Sequence, residues 1–404
     1  MSLNAGEAMD RRAVGVLSAG HLCIDLCQGA IPAFLPFLLI ERHLSYTAAA
    51  GLVLAANMAS SVVQPVFGHL ADRYSTPWLM PLGLVVAGTG LALAGFAPSY
   101  LLIALSVALS GIGIAAFHPE AARLMNAVAG KKRATGMSIF SIGGSLGFAI
   151  GPLLTTALLL LLGLGGASLL LVPEVALAIV LIVHFSRFAL YSSKSSQKGR
   201  GEQPARPDAW GPFARLTGMI MCRSVIFYGL NTFLPLYWIA TLHQSKVAGG
   251  TALTVLLAAG IIGTFVGGRM ADRYGRRIVV LLALSCLAPL LLAFVLFSEA
   301  NTALALVLLI PIGFALFAPF SVMVVMGQEY LPNRVGTASG VTLGLAVTVG
   351  GITAPLFGHI ADLYSVHAAL GWLACVPLLA IALAFTLPRT RLSEAQVAAS
   401  PEQA

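Results

Sequence analysis

Twelve apolar stretches follow one another along this chain, separated by short polar breaks, at approximately 14–40, 45–70, 78–97, 100–127, 134–163, 166–188, 213–241, 247–270, 277–297, 301–328, 335–360 and 367–387. A bilayer core of about 30 Å takes about 20 apolar residues per helical crossing. Inside it every backbone N–H and C=O must be paired within the protein, so only helices or a closed barrel can cross. A barrel strand alternates apolar and polar residues over about ten positions, whereas LLTTALLLLLGLGGASLLLV does not alternate. The expected fold class is therefore an all-α membrane protein with twelve transmembrane helices. Composition agrees: 58% of the 404 residues are hydrophobic and 9% charged, against about a quarter charged in a soluble domain.

The first stretch is longer than the apolar region of a cleaved leader, and no small-residue cleavage site follows it closely, so it reads as a permanent span. Cys23, Cys27, Cys222, Cys286 and Cys375 all fall inside spans, where packing is their expected role. The net charge of +8 points to membrane orientation rather than a nucleic-acid partner. With the amino terminus inside, every Lys and Arg except Arg42, Lys246 and the mid-span Arg223 falls on the cytoplasmic side. The positive-inside rule then puts both termini in the cytoplasm.

The longest polar break, YSSKSSQKGRGEQPARPD (191–208), divides the spans six and six and reads as a flexible linker. AFLPF (33–37) returns as TFLPL (232–236), GHLADRY (68–74) as GRMADRY (268–274), and GIAAFHPE (113–120) as GFALFAPF (313–320). Three matches at an offset of 199 or 200 residues make the halves parallel repeats. The domain reading is an amino-terminal half, 1–188, a cytoplasmic linker, 189–212, and a carboxy-terminal half, 213–404. A second repeat crosses these halves. PVFGHLADRY (65–74) and PLFGHIADLY (355–364) occupy spans of opposite direction, so the first ends at the cytoplasm and the second at the outer face. Arg73 then anchors a cytoplasmic gate and Leu363 does not, which makes Asp72 a gating candidate and leaves Asp362 without that role.

A charge at the bilayer centre costs about 2.5–3.5 kcal/mol on insertion scales and is a functional hypothesis by default. Span 1 carries His21, Asp25 and Gln28, spaced i, i+4, i+7 and so on one helix face. Asp25 is about 17 Å from the inner end at 1.5 Å per residue, near the midplane. Span 4 carries Phe117-His118-Pro119-Glu120 with Arg123 one turn beyond Glu120, within pairing reach. Pro119 disfavours helical geometry at His118, so a kink is expected there. The repeat partner, Phe317-Ala318-Pro319-Phe320, keeps the proline and loses both ionisable groups. Arg223 in span 7 falls at the level of Ile24 by the 199 offset, as a candidate partner across a cavity for Asp25. Glu174, His184 and Glu329 are weaker candidates.

GGRMADRYGRR (267–277) resembles the signature of the major facilitator superfamily between spans 2 and 3 and again between spans 8 and 9. The first-half copy, GHLADRYSTPW, lacks the trailing GRR. The resemblance implies gating roles for Gly68, Asp72, Arg73, Gly268, Asp272, Arg273, Arg276 and Arg277, with the Asp facing a helix amino terminus of the other half. Its fold implication is two pseudo-symmetric six-helix halves, each of inverted three-helix units. GFAIGP (147–152) is similar to the superfamily's antiporter motif, with Gly147, Gly151 and Pro152 as helix-packing residues; ordinary tight packing explains it equally well. The overlapping GGSLG (143–147) fits a nucleophile elbow, which needs a strand-to-helix turn and not a membrane span.

His21-x-x-x-Asp25, Phe117-His118-Pro119-Glu120 and GGSLGFAIGP together resemble the fosmidomycin resistance branch of the superfamily over nearly all of the membrane portion. That branch implies a bacterial inner-membrane exporter driven by proton exchange, with an antibiotic among its substrates. Asp25, Glu120, His118, Arg123, Arg223, His21 and Gln28 are the expected proton-coupling or substrate residues. Desolvation and nearby cations tune a carboxylate's proton affinity, so Asp25 or Glu120 is expected to carry the coupled proton. His118, His21 and Arg223 suit an anion such as a phosphonate, Asp25 and Glu120 suit a cation, and both options stay open.

The alternative within transport is a proton-coupled uptake symporter for a small organic anion. A membrane enzyme would need a nucleophile with its base or a metal cluster, and no HExxH, CxxC or phosphate loop is present, so no catalytic residue, cofactor or metal is assigned. A non-transporting sensor would need an appended soluble domain. Expected partners are a small-molecule substrate, protons and the lipid bilayer, with no nucleic acid, and the chain is expected to work as a monomer.

Overall fold

The computed structural model describes residues 9–73, 76–130, 132–188, 191, 207–334, 337–338 and 340–388; among them there is no strand. The helices are α1 (Arg11–Glu41), α2 (Tyr46–Arg73), α3 (Leu79–Phe96), α4 (Tyr100–Val128), α5 (Arg133–Leu162), α6 (Leu171–Val183, entered through a 3-10 segment, Leu164–Leu170), α7 (Trp210–Ala240), α8 (Lys246–Tyr274), α9 (Arg276–Phe297), α10 (Thr302–Phe317), α11 (Phe320–Tyr330), α12 (Ala346–Leu363, preceded by a π turn, Gly340–Leu345) and α13 (Val366–Phe385). Eleven segments among the described residues are long and apolar enough to cross a membrane. The helical stretch from Gly340 to Leu363 occupies the remaining expected span.

Local chemistry sets the helix ends. Asp10, Ser99 and Asn301 accept hydrogen bonds from Ala13 N, Leu102 N and Leu304 N, supplying partners to first-turn amides that have none within the helix. Ser45 and Ser245 do the same for Ala48 and Ala248. Two residues before each serine, His43 and His243 take positive φ values of 50° and 53°. The same left-handed turn thus recurs at an offset of 200 residues.

Two prolines at that same offset behave differently. Pro119 lies inside a continuous α4, whereas Ala318 and Pro319 separate α10 from α11. The kink expected at His118 thus involves no interruption of α4, whereas the repeat position is where the regular helix assignment is interrupted.

By contact the chain forms two compact units. The first comprises 1–203, 228–258 and 351–370, and the second 204–227, 259–350 and 371–404. In the first, the closest helix partnership is α1 with α5. Gly143, Gly147 and Gly151 set one α5 stripe against the backbone of Ser18, Leu22 and Leu26 in α1, and a methyl on Gly147 would land on the Leu22 carbonyl. Small residues four apart allow such backbone approach, which is how membrane helices gain dispersion contacts that lipid cannot supply. GGSLG is therefore a packing stripe inside α5. In the second unit, Leu216, Met219 and Ile220 of α7 pack with Val280 and Leu284 of α9, Met323 and Met326 of α11, and Ala380 and Ala384 of α13.

Burial separates the spans. The central windows of α1 and α7 are 78% and 83% buried, against 22% for α2, so α1 and α7 are the helices best shielded from lipid and able to carry polar groups. Leu101, Leu161, Val183, Leu296 and Trp372 are exposed, as lipid-facing side chains are.

Candidate functional site

α1 brings His21 and Asp25 together by their i, i+4 spacing, and α4 adds His118. His118 Nε2 is 3.1 Å from Asp25 Oδ1, and His21 Nε2 is 3.2 Å from Asp25 Oδ2. The side chains are 11–22% exposed. His21 stacks on Phe140 at 4.0 Å and meets His118 edge to face at 5.1 Å. A methyl at Gly144 of α5 would lie 2.5 Å from Asp25 Oδ2 and from His21 Nε2 and Cε1. The absence of a side chain at Gly144 makes room for the triad.

The other ring nitrogens fix the proton arrangement. His21 Nδ1 donates to the Phe140 carbonyl and His118 Nδ1 to the Ile114 carbonyl, both at 2.8 Å. A carbonyl only accepts, so each Nδ1 carries hydrogen and each neutral Nε2 presents a lone pair to a carboxylate. Each Nε2–oxygen contact becomes a hydrogen bond when a proton occupies it. The triad thus has two proton positions and a net charge from −1 to +1. Its donor atoms also lie within 4.8 Å of one another, a grouping of two imidazoles and a carboxylate that metal sites use as well; the sequence reading assigned no such group.

Glu120 is fully buried and bound twice by Arg123, Nε to Oε2 at 3.1 Å and Nη2 to Oε1 at 2.6 Å, with Thr76 Oγ1 donating to Oε2 at 3.2 Å. The expected Glu120–Arg123 pair is present. A bidentate pair with a third donor is fully engaged. Glu174 is also fully buried, accepting from Cys27 Sγ at 3.3 Å.

Arg223 is 4% exposed. Its Nε donates to the Leu316 carbonyl at 2.7 Å, and its guanidinium lies 4.5 Å from the Phe320 ring centroid and 5.4 Å from that of Phe317. Aromatic faces attract a cation where water is scarce. Asp25 and Arg223 belong to different compact units, and Asp25 makes its side-chain contacts with the two histidines.

Among the gating candidates, the side chains of Gly68, Asp72 and Arg73 lie outside the described residues. Arg276 pairs with Glu329, Arg277 Nη2 donates to the Phe385 carbonyl at 2.9 Å, and Arg273 lies over Tyr274. Asp272 is exposed, and Gly268 has open space where a Cβ would stand.

Asp362, given no gating role by its sequence position, makes a firm contact. It accepts from Tyr46 N at 2.7 Å, Thr47 N at 2.9 Å and Thr47 Oγ1 at 2.6 Å. A carboxylate at a helix amino terminus meets unpaired amides and the positive end of the dipole. One turn earlier, a methyl at Gly358 would be 2.7 Å from the Tyr46 carbonyl oxygen, so glycine permits the approach. Charge counting missed this contact because capping needs no arginine.

Beyond the triad, Gln28, Asn57, Tyr228 and Asn231, with Ile31, Val53 and Phe148, line a small open cavity of about 20 Å³, room for about one water. Gln28 was expected at the site. Asn57, Tyr228 and Asn231 were missed because, unlike Gln28, they do not share the helix face of His21 and Asp25 in the sequence pattern, although an amide within an apolar run is also a signal.

The Major Facilitator Superfamily model matches residues 17–355. An uncharacterized MFS-type transporter of Bacillus subtilis (strain 168), YfnC, is 34% identical over 386 residues, with 92% of each chain covered. The fosmidomycin resistance protein of Escherichia coli (strain K12) is 32% identical over 385 residues, covering 94% of this chain and 93% of that protein. A bacterial homolog of the human lysosomal transporter Spinster, solved in an inward-facing and occupied conformation, superposes with a TM-score of 0.78 at 16% identity, covering 95% of this chain and 97% of its own. Sequence and fold converge: this chain is a multi-pass membrane transporter that belongs to the major facilitator superfamily, related to its fosmidomycin resistance branch.

Proposed function

We propose that the protein is a proton-coupled antiporter that exports a small molecule, fosmidomycin or a compound like it, across the bacterial inner membrane. Two six-helix halves, 1–188 and 213–404, joined by 189–212, alternate access about a central site. Both termini face the cytoplasm and the monomer is the working unit. Protons are the coupling ion, and the 32% identity to a fosmidomycin resistance protein supports the substrate class.

The observation that carries the coupling is the His21–Asp25–His118 arrangement, with both Nδ1 atoms committed to carbonyls. Protonated, it joins α1 to α4 through imidazolium–carboxylate hydrogen bonds. Deprotonated, lone pairs of Nε2 face carboxylate oxygens, and the same contact is repulsive. Proton occupancy therefore biases a helix–helix contact, which is what coupling to a conformational cycle requires. Glu120, fully engaged with Arg123 and Thr76, serves as a structural pair, and Asp25 is the carboxylate that exchanges its proton. Arg73, Arg273, Arg276 and Arg277 serve the cytoplasmic gate.

The test uses everted membrane vesicles with an acid interior. Fosmidomycin added outside should dissipate the pH gradient in vesicles holding the parent protein and leave it intact with Asp25→Asn. Absence of dissipation with the parent overturns the antiporter. Accumulation by right-side-out vesicles under an inward proton gradient would establish the uptake symporter instead.

A further inference from the structure

We propose that His21, Asp25 and His118 form a binding site for a divalent transition-metal ion of the zinc and cobalt(II) class, held between α1 and α4. The site goes beyond the transport reading and does not depend on it, because binding an ion needs neither a transported substrate nor a proton gradient.

One donor atom from each of the three side chains lies within 4.8 Å of the other two. Both imidazoles are already oriented as metal ligands are. His21 Nδ1 donates to the Phe140 carbonyl and His118 Nδ1 to the Ile114 carbonyl, each at 2.8 Å, so each Nε2 turns its lone pair toward Asp25. Metal-bound histidines are usually fixed in this way, with the second ring N–H on a carbonyl or carboxylate that sets the tautomer and the ring angle. The stack of His21 on Phe140 at 4.0 Å holds that ring further. The Nε2–oxygen separations of 3.1 and 3.2 Å are close to what an ion would impose. Zinc bonds of about 2.0–2.1 Å in a tetrahedron put neighbouring donors about 3.3 Å apart.

Charge and space fit as well. A dication on two neutral imidazoles and one carboxylate leaves a net charge of +1, the same as the triad carrying two protons. Glu120 offers no such site, because Arg123 and Thr76 already engage it; Asp25 faces two rings that can release their protons to make way for an ion. Gly144 keeps α5 clear of the donors, since a methyl there would lie 2.5 Å from Asp25 Oδ2 and His21 Nε2. The three side chains are 11–22% exposed, which gives an ion a way in. Three protein ligands leave a fourth position for water or a solute oxygen, the pattern of an open zinc site. Imidazole nitrogen favours first-row transition ions, whereas magnesium and calcium take oxygen ligands.

The test titrates cobalt(II) chloride into the full chain in lipid nanodiscs, purified without a histidine tag, and reads the visible absorption of the bound ion. One cobalt per chain should bind, zinc chloride should displace it, and a large excess of magnesium chloride should not. Asp25→Asn and His118→Gln should each lower cobalt affinity at least about tenfold, since losing even an outer-shell partner costs about 10–100-fold. Should His118→Gln not fold, the nearly isosteric Asp25→Asn and Gly144→Ala, which keeps all three ligands and fills the space beside them, should both weaken binding. His243→Asn replaces an exposed histidine of positive φ with a residue suited to that backbone, and it should leave affinity unchanged. No bound cobalt, displacement by magnesium, parent affinity in Asp25→Asn and its companion variant, or affinity lost in His243→Asn overturns the site. Binding is read without proton flux, so this result and the vesicle result fail separately.

Discussion

The fourth span and its repeat, the tenth, begin from the same sequence frame and end in different chemistry. In α4 the proline sits within an unbroken helix, and its neighbours His118 and Glu120 contact Asp25 and Arg123. At the repeat position Ala318 and Pro319 interrupt the regular assignment between α10 and α11 while keeping right-handed helical angles, and the neighbours Phe317 and Phe320 lie against the guanidinium of Arg223. The fourth span uses the frame to hold a carboxylate beside imidazoles; the tenth uses it to shelter a cation on aromatic faces. Duplication has preserved the backbone signal while the side chains divided the work.

That contrast breaks first at the triad. Gly144→Ala places a methyl 2.5 Å from three triad atoms. Displacing a reacting group by about 1 Å costs roughly 10²-fold in rate, and proton-coupled flux in proteoliposomes should fall by that factor with insertion unchanged. Phe320→Leu, at the matching frame of the tenth span, should leave the flux near the parent value.

The structural pair of α4 comes next. Arg123→Ala leaves the fully buried Glu120 with Thr76 alone, and breaking a buried pair costs about 3–5 kcal/mol. Thermal unfolding should show that loss, and adding Glu120→Gln should recover most of it. A Glu120 that carried the coupled proton would instead show lost flux in the double variant despite its recovered stability.

A smaller effect belongs to Asp362, a carboxylate of the carboxy-terminal half that caps a helix. Asp362→Ala should destabilise by about 0.5–2 kcal/mol, the usual range for a lost cap, and increase labelling of a cysteine introduced at Thr47. The smallest concerns the prolines themselves. Pro119→Ala in a helix already continuous should change flux by the equivalent of no more than about 0.5 kcal/mol, whereas Pro319→Ala should show joining of α10 and α11 in the structure of the variant.

The spans were legible because the bilayer imposes a length and a polarity that side-chain detail cannot override. The i, i+4 spacing of His21 and Asp25 was legible for the same reason, since it needs only helix geometry. His118 joining them was expected through the motif and is a matter of α1–α4 packing that spacing alone does not specify. The Asp362 cap and the Asn57–Tyr228 hydrogen bond escaped because both are contacts between residues more than 170 apart in sequence, made by groups that local charge or pattern does not mark. The interrupted helix assignment at Pro319 rather than Pro119 has the same character. Proline removes an amide donor from either helix, so its presence alone does not distinguish them.

The central claim is that the coupled proton belongs to Asp25 and its two histidines. Fosmidomycin-driven proton flux, measured in proteoliposomes for the parent, Asp25→Asn and Glu120→Gln, tests it most directly. The account predicts flux abolished in Asp25→Asn and retained in Glu120→Gln; flux at the parent rate in Asp25→Asn would contradict it.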